Sequence, residues 1–264
     1  MIGQKIGLIG GSGLYEIEGF EITREVAVST PFGEPSAAYK IGELGGSEIA
    51  FLSRHGIPHS IPPHKVNYRA NLWGLKSLGV ERIISVSAVG GIAVEMNPGA
   101  IVILDQIIDM TFGARLSTFY DQDKVTHVDF TYPYCNDMRG PAVKAARDIG
   151  LSARESGAYI CVNGPRLETA REIQFFSMIG ADVVGMTAMP EAALARELEM
   201  CLLGISVVTN YAAGISGTKL TTTEVVETMK GSVEKIKSLL KAVIPHLPPV
   251  RACACKHALK DAEL

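Results

Sequence analysis

Short apolar runs recur along the chain at residues 6–9, 49–52, 83–86, 101–104, 158–161, 183–186 and 201–209, and each is a candidate strand. Between several of them the apolar positions take helical spacing, over 67–78, 140–149, 168–179, 190–200 and 223–243. Strands that alternate with helices predict an α/β fold around a largely buried sheet. Helix starts are marked as well: Thr223 stands in a threonine-rich entry, and Pro190 occupies a first position where a missing N–H costs nothing. After Pro245 the chain turns proline- and cysteine-rich, and residues 256–264 are expected as a short exposed helix. No repeat, low-complexity stretch or composition shift marks a linker.

The length of 264 residues fits one large α/β domain or at most two small ones. A hydrophobic content of 47% is slightly on the apolar side, which a buried oligomer interface or a large sheet core would equally explain. A net charge of −3 without any Lys/Arg-rich block argues against nucleic acid as a partner. No apolar run reaches the roughly 18–20 residues of a membrane span, and the start, MIGQKIGLIGG, lacks the layout of a signal peptide. A soluble cytoplasmic protein is expected. Of the five cysteines, Cys135, Cys161 and Cys201 stand in apolar surroundings and read as buried free thiols. Cys253 and Cys255 form a CxC pair, open to reading as a tail disulfide or as surface thiols. Without a second Cys/His pair at ligand spacing, no metal site is expected.

Four stretches at strand ends carry candidate chemistry. Gly10, Gly11, Ser12 and Gly13 follow the first strand, where backbone N–H groups and a hydroxyl suit an anion, or simply a tight turn. Glu16 stands where a dinucleotide fingerprint needs its last glycine, which excludes that class; a P-loop ending is also missing. Arg54 and His55 follow the strand at 49–52 and pair a planar cation with a second donor. His59 and His64, separated by Pro62 and Pro63, lack metal spacing. Ser87 and Ala88 lie at another strand end, the edge where α/β sheets bind ligands. Met186 and Thr187 precede the helix at Pro190; a thioether suits a sugar face and the hydroxyl is one more donor.

Taken in order, Gly10–Gly13, Arg54-His55, Ser87-Ala88, Glu168, Met186-Thr187 and Thr209-Asn210 resemble the methylthioadenosine phosphorylase branch of the purine nucleoside phosphorylase family. The resemblance runs from residue 6 to about 243; Arg54 to Gly56 through Ile61 to Asn71, and Gly164 to Thr169 followed by Gly180 to Thr187, are its most specific stretches. It implies a single α/β domain over residues 1–245, a central mixed β-sheet flanked by helices, with 246–264 as a tail. It further implies that Ser12, Arg54, His55, Ser87, Ala88 and Thr187 bind phosphate, that Met186 lies against the ribose, and that Asn210, Tyr211 and Ala212 meet the base. No metal or organic cofactor is implied, inorganic phosphate being a co-substrate. Assembly as a homotrimer or homohexamer is implied too, with the loop near 118–133 and its His127 closing a neighbour's site.

This chain departs from that branch at the base. Adenine-specific members have a pair of aspartates near Asn210 and a small residue at Glu168, whereas the combination here is similar to the 6-oxopurine enzymes of the wider family. Hydrogen bonding leads to the same switch. A carboxylate only accepts, so it suits the N1–H of a 6-oxopurine and faces a lone pair on adenine; an amide can serve N7 and O6. Phosphorolysis of inosine and guanosine is therefore expected, with 5′-methylthioinosine and, after it, 5′-methylthioadenosine as alternative substrates. Thr222, which the resemblance places at the 5′ end of the sugar, offers both a hydroxyl and a methyl and leaves that choice open. A non-catalytic purine sensor on the same fold would not need the anion-binding groups.

Overall fold

The structure, a computed structural model, describes residues 4–11, 19–113, 115–122, 124–216 and 222–263, with the backbone alone for Thr222 and Glu224. In chain order the elements are β1 (Lys5–Gly10), β2 (Glu21–Val26), β3 (Tyr39–Leu44), β4 (Ser47–Ser53), α1 (Tyr68–Ser77), β5 (Arg82–Gly91), β6 (Ile101–Ile103), β7 (Gln106–Met110), α2 (Asn136–Asp148), β8 (Ala153–Arg154), β9 (Ala158–Val162), α3 (Ala170–Met178), β10 (Val183–Gly185), α4 (Ala188–Glu197), β11 (Cys201–Tyr211) and α5 (Thr222–Val243). The strands and helices expected between residues 6 and 243 all occur. α2 starts four residues before the expected Gly140 and holds Pro141 inside it, not at the first turn where proline is cheapest. Met189 is non-helical (φ −113°, ψ 138°), so the regular turns of α4 begin at Pro190 as expected.

Among the described residues the sheet is mixed and has eleven strands, eight in the order β2-β3-β4-β1-β5-β10-β9-β7. β5 and β11 form its centre, parallel from Arg82↔Cys201 to Gly91↔Tyr211. β1 lies parallel on the other side of β5, and β10 meets the far end of β5 antiparallel at Val184↔Gly90. Neighbouring residues of these strands enter opposite cores. Leu8, Ile84 and Leu203 pack with Met138 of α2 and Ile236 and Leu240 of α5. Ile9, Ile83 and Leu202 pack with Leu72 of α1 and Leu194 of α4. Cover on both faces is why these strands read as continuous apolar runs.

The tail does not form the expected helix. It makes a 3-10 turn at Ala254–His257, and Cys255 and Ala262 are buried. Glu263 bridges Thr126, and the N–H of His127 donates to the Ala262 carbonyl at 2.8 Å, so the 126–127 segment is held by the chain's own tail. Nor do the CxC cysteines stand apart as surface thiols: they meet Cys135 and Cys201. Among the described residues no helix is long and apolar enough to cross a membrane.

Candidate active site

The ends of β1, β4, β5, β10 and β11 open on one cavity of about 590 Å³, the volume of a small-molecule site. Its walls include Arg54, His55, Ser87, Ala88, Glu168, Met186, Thr187 and Asn210. Eight of the residues singled out from sequence thus share one chamber. Ser12 lies outside the described residues, as does the side chain of Thr222. Tyr211 and Ala212 are not part of this wall. The Tyr211 hydroxyl donates to Asn97 Oδ1 at 2.8 Å, and Ala212 packs among Ile92, Ile160 and Ile173. Strand alternation turns Tyr211 away from the cavity that Asn210 faces, whereas Ala212 is enclosed in its apolar cluster.

A bulge explains how Thr209 and Asn210 both line the cavity although they are consecutive. Val208 pairs with Val89 and Asn210 with Gly90, which leaves Thr209 extra and re-aims the strand end. Thr209 Oγ1 lies 2.9 Å from Asn210 Oδ1, and Asn210 Nδ2 donates to the Tyr211 carbonyl at 2.8 Å. The amide is therefore fixed, with one N–H and one lone pair left for a ligand.

Glu168 stands just before α3. Thr169 and Glu172 form a capping box, with Glu172 Oε2 2.6 Å from the Thr169 N–H and Thr169 Oγ1 3.2 Å from the Glu172 N–H. Glu172 also takes the Arg166 guanidinium at 2.6 and 2.9 Å. Burial raises the Glu168 carboxyl above the usual range, offset in part by a bond to its own backbone N–H. A half-buried carboxylate on the cavity wall is a group suited to accept a hydrogen from a ligand. Gly164, with φ of +62°, lets this loop pass Met186, whose sulfur a Cβ at that position would strike.

The anion end differs in detail from a free Arg-His fork. Arg54 is 1% exposed, and its fork is taken by Glu191, with Nε at 2.9 Å and Nη2 at 3.3 Å from the carboxylate. Nη2 also donates to Ser85 Oγ at 2.8 Å and Nη1 to the Val86 carbonyl at 3.1 Å. Four of the five N–H donors are thus committed, leaving one on Nη1. Thr187 is buried at the entry of α4, its N–H donating to the Tyr159 hydroxyl at 3.1 Å. Ser87 Oγ lies 3.0 Å from Ser206 Oγ.

His55 Nδ1 lies 2.8 Å from the Ile61 carbonyl, which can only accept, so Nδ1 carries the hydrogen. In the neutral ring Nε2 is then an acceptor, which corrects the expectation of a second donor to phosphate. Burial and the neighbouring Arg54 hold this ring down at about 4, well below an ordinary histidine. From pH 6.5 down to about 4 an unfolded chain takes up a proton that folded His55 refuses. Its contribution is whole above pH 6.5 and lost as pH falls through that window, on the order of 3 kcal/mol. Urea denaturation between pH 4 and 7 should show this slope, and His55→Gln should flatten it; an unchanged slope would assign the acid sensitivity elsewhere.

Sequence reading gave no role to several wall residues. His59 stacks on His55 with ring centroids 4.4 Å apart, while Val225, Val226, Met229 and Lys230 of α5 complete the wall. The α5 residues fall on one helical face, a periodicity that reads first as core contact. Glu191, in an alanine-rich helix start, is a buried carboxylate whose partner no local pattern reveals.

The phosphorylase superfamily model matches residues 5–245, and the chain belongs to that superfamily. It is an enzyme of the pentosyltransferase type, a purine nucleoside phosphorylase. A Pyrococcus furiosus protein named 6-oxopurine nucleoside phosphorylase is 54% identical over 265 residues, covering 98% of each chain. A Thermodesulfovibrio yellowstonii protein named probable S-methyl-5′-thioinosine phosphorylase is 54% identical over 258 residues, covering 98% of this chain and 97% of its own. Among solved structures, the methylthioadenosine phosphorylase of Schistosoma mansoni in complex with adenine superposes with a TM-score of 0.93 at 30% identity, covering 98% of this chain and 99% of that one.

Proposed function

We propose that this enzyme cleaves 6-oxopurine nucleosides, inosine and guanosine, with inorganic phosphate to free base and ribose 1-phosphate. The observation that carries this reading is Glu168, a half-buried carboxylate on the wall of the same cavity as the amide of Asn210. Glu168 accepts the N1–H of the base, and Asn210 donates to N7 or O6. Phosphate sits by the remaining Arg54 N–H, Ser87, Ala88 and Thr187, with Ser12 as a further donor; Met186 lies against the ribose. His55 Nε2 accepts the P–OH hydrogen of hydrogen phosphate. Phosphate attacks C1′ as the glycosidic bond breaks, and it stabilises the positive charge on the ribose while Asn210 and Glu168 stabilise the departing purine. The reaction needs no metal or organic cofactor. We place it in the cytoplasm, as a homotrimer or a pair of trimers, with the 118–133 loop and His127 set against a neighbour's site.

A second reading, cleavage of 5′-methylthioinosine, draws support from the apolar α5 wall of Val225, Val226 and Met229, which suits a thioether better than a hydroxyl. Parallel assays with phosphate and inosine, 5′-methylthioinosine or 5′-methylthioadenosine test both readings. Hypoxanthine release with little adenine is expected, and the ratio of the two inosine substrates decides the 5′ group. Preferential release of adenine would overturn the role of Glu168. Glu168→Gln, whose amide can also donate to a bare N1, should narrow discrimination against the adenine substrate by roughly ten- to a hundred-fold.

A further inference from the structure

Four of the five cysteines converge from three distant parts of the chain. Cys135 precedes α2, Cys201 opens β11, and Cys253 and Cys255 lie on the tail. Their four sulfurs all lie within 4.8 Å of one another, with Cys201 and Cys253 3.3 Å apart. Cys161 stands elsewhere, its sulfur accepting from the Met189 N–H at 3.3 Å.

None of the four is joined in a disulfide. Zinc held tetrahedrally by thiolates at about 2.3 Å sets its sulfurs about 3.8 Å apart, and the cluster fits that spacing. Cys135, Cys201 and Cys255 are buried and Cys253 half-buried, so the centre is closed. Four thiolates around zinc carry an excess of two negative charges, and two guanidiniums flank them. Arg196 Nη1 lies 3.7 Å from Cys255 Sγ, and Arg251 lies against Cys201. Cationic donors around a thiolate set are what such a centre needs to be stable when buried.

We propose that Cys135, Cys201, Cys253 and Cys255 bind one zinc ion as a closed structural centre. Binding displaces the thiol protons and transfers no electrons. Cys201 and Asn210 sit at opposite ends of β11, about 30 Å apart at strand rise, so the ion takes no part in phosphorolysis. Its work is to fasten the tail to α2 and β11. Through Ala262 and Glu263 the fastened tail holds the 126–127 segment.

The test is elemental analysis of the full-length enzyme, expressed with zinc in the medium and purified without chelator. About one zinc per chain is expected, released in step with the four thiols as a mercurial titrates them. Cys161→Ala should keep the zinc. Cys253→Ser combined with Cys255→Ser should lose it, keep phosphorolysis at 25 °C and melt lower by on the order of 10 °C. Absence of metal, an intact mass four hydrogens short from two disulfides, or iron in place of zinc would each overturn the assignment. The metal count and mercurial titration of the unaltered enzyme decide the matter even if the double variant fails to fold, and neither depends on which nucleoside is cleaved.

Discussion

Asn210→Ala should lower kcat for inosine by about 10²–10³-fold while leaving its KM within a few-fold of the parent. In the ground state the amide meets N7 and O6 as neutral acceptors, and its bond to them is an ordinary one. Negative charge develops on the ring only as the glycosidic bond breaks, so the bond from Nδ2 strengthens in the transition state. The amide is oriented in advance by Thr209 Oγ1 at 2.9 Å and the Tyr211 carbonyl at 2.8 Å, so little reorganisation precedes the donation. Steady-state kinetics with saturating phosphate make the measurement. Full turnover in the variant would show that leaving-group stabilisation comes from elsewhere, and a rise in KM alone would make Asn210 a binding group only.

The sheet centre was legible because β1, β4, β5 and β11 are buried on both faces and must be apolar throughout. β2 was not: five of its six residues, Glu21 to Glu25, are exposed, so no burial pattern marks it. β7 failed for a related reason, as a partly exposed edge strand containing Gln106 and Asp109. Two residues, Ala153 and Arg154, make all of β8. Of the helix starts, Pro190 was legible and opens the regular turns of α4. The caps of α1, where Asn67 accepts from the Ala70 N–H at 3.1 Å, and of α3, where Thr169 pairs with Glu172, went unread.

At the site, sequence alone found the residues that strand ends present to solvent or ligand. It missed what depends on partners far along the chain. Arg54 reads as a phosphate fork until Glu191, 137 residues on, is seen holding it. His55 reads as a donor until the Ile61 carbonyl fixes its tautomer. Tyr211 and Ala212 accompany Asn210 in the resemblance, and only their partners, Asn97 for the one and Ile92, Ile160 and Ile173 for the other, show where each side chain lies. The gathering of the cysteines was hidden by the same limit: Cys135 and Cys201 are buried free thiols as read, but only α2 and β11 bring them to the CxC pair.

Glu191→Ala should cost about 3–5 kcal/mol of stability, because it leaves the Arg54 guanidinium, 1% exposed, without its counter-charge. For a chain of this size that corresponds to a melting temperature lower by about 6–20 °C. Saturating phosphate should then restore more stability to the variant than to the parent. In the parent, Glu191 neutralises Arg54 and shares Ser85 with it, so an added anion meets a charge already balanced. In the variant the anion becomes the counter-charge itself, and differential affinity for the folded state appears directly as stabilisation. Thermal melts with and without phosphate measure both effects. Equal phosphate stabilisation of the two proteins would mean that Arg54 does not face the anion, and the phosphate end of the cavity would then rest on Ser87, Thr187 and His55 without it.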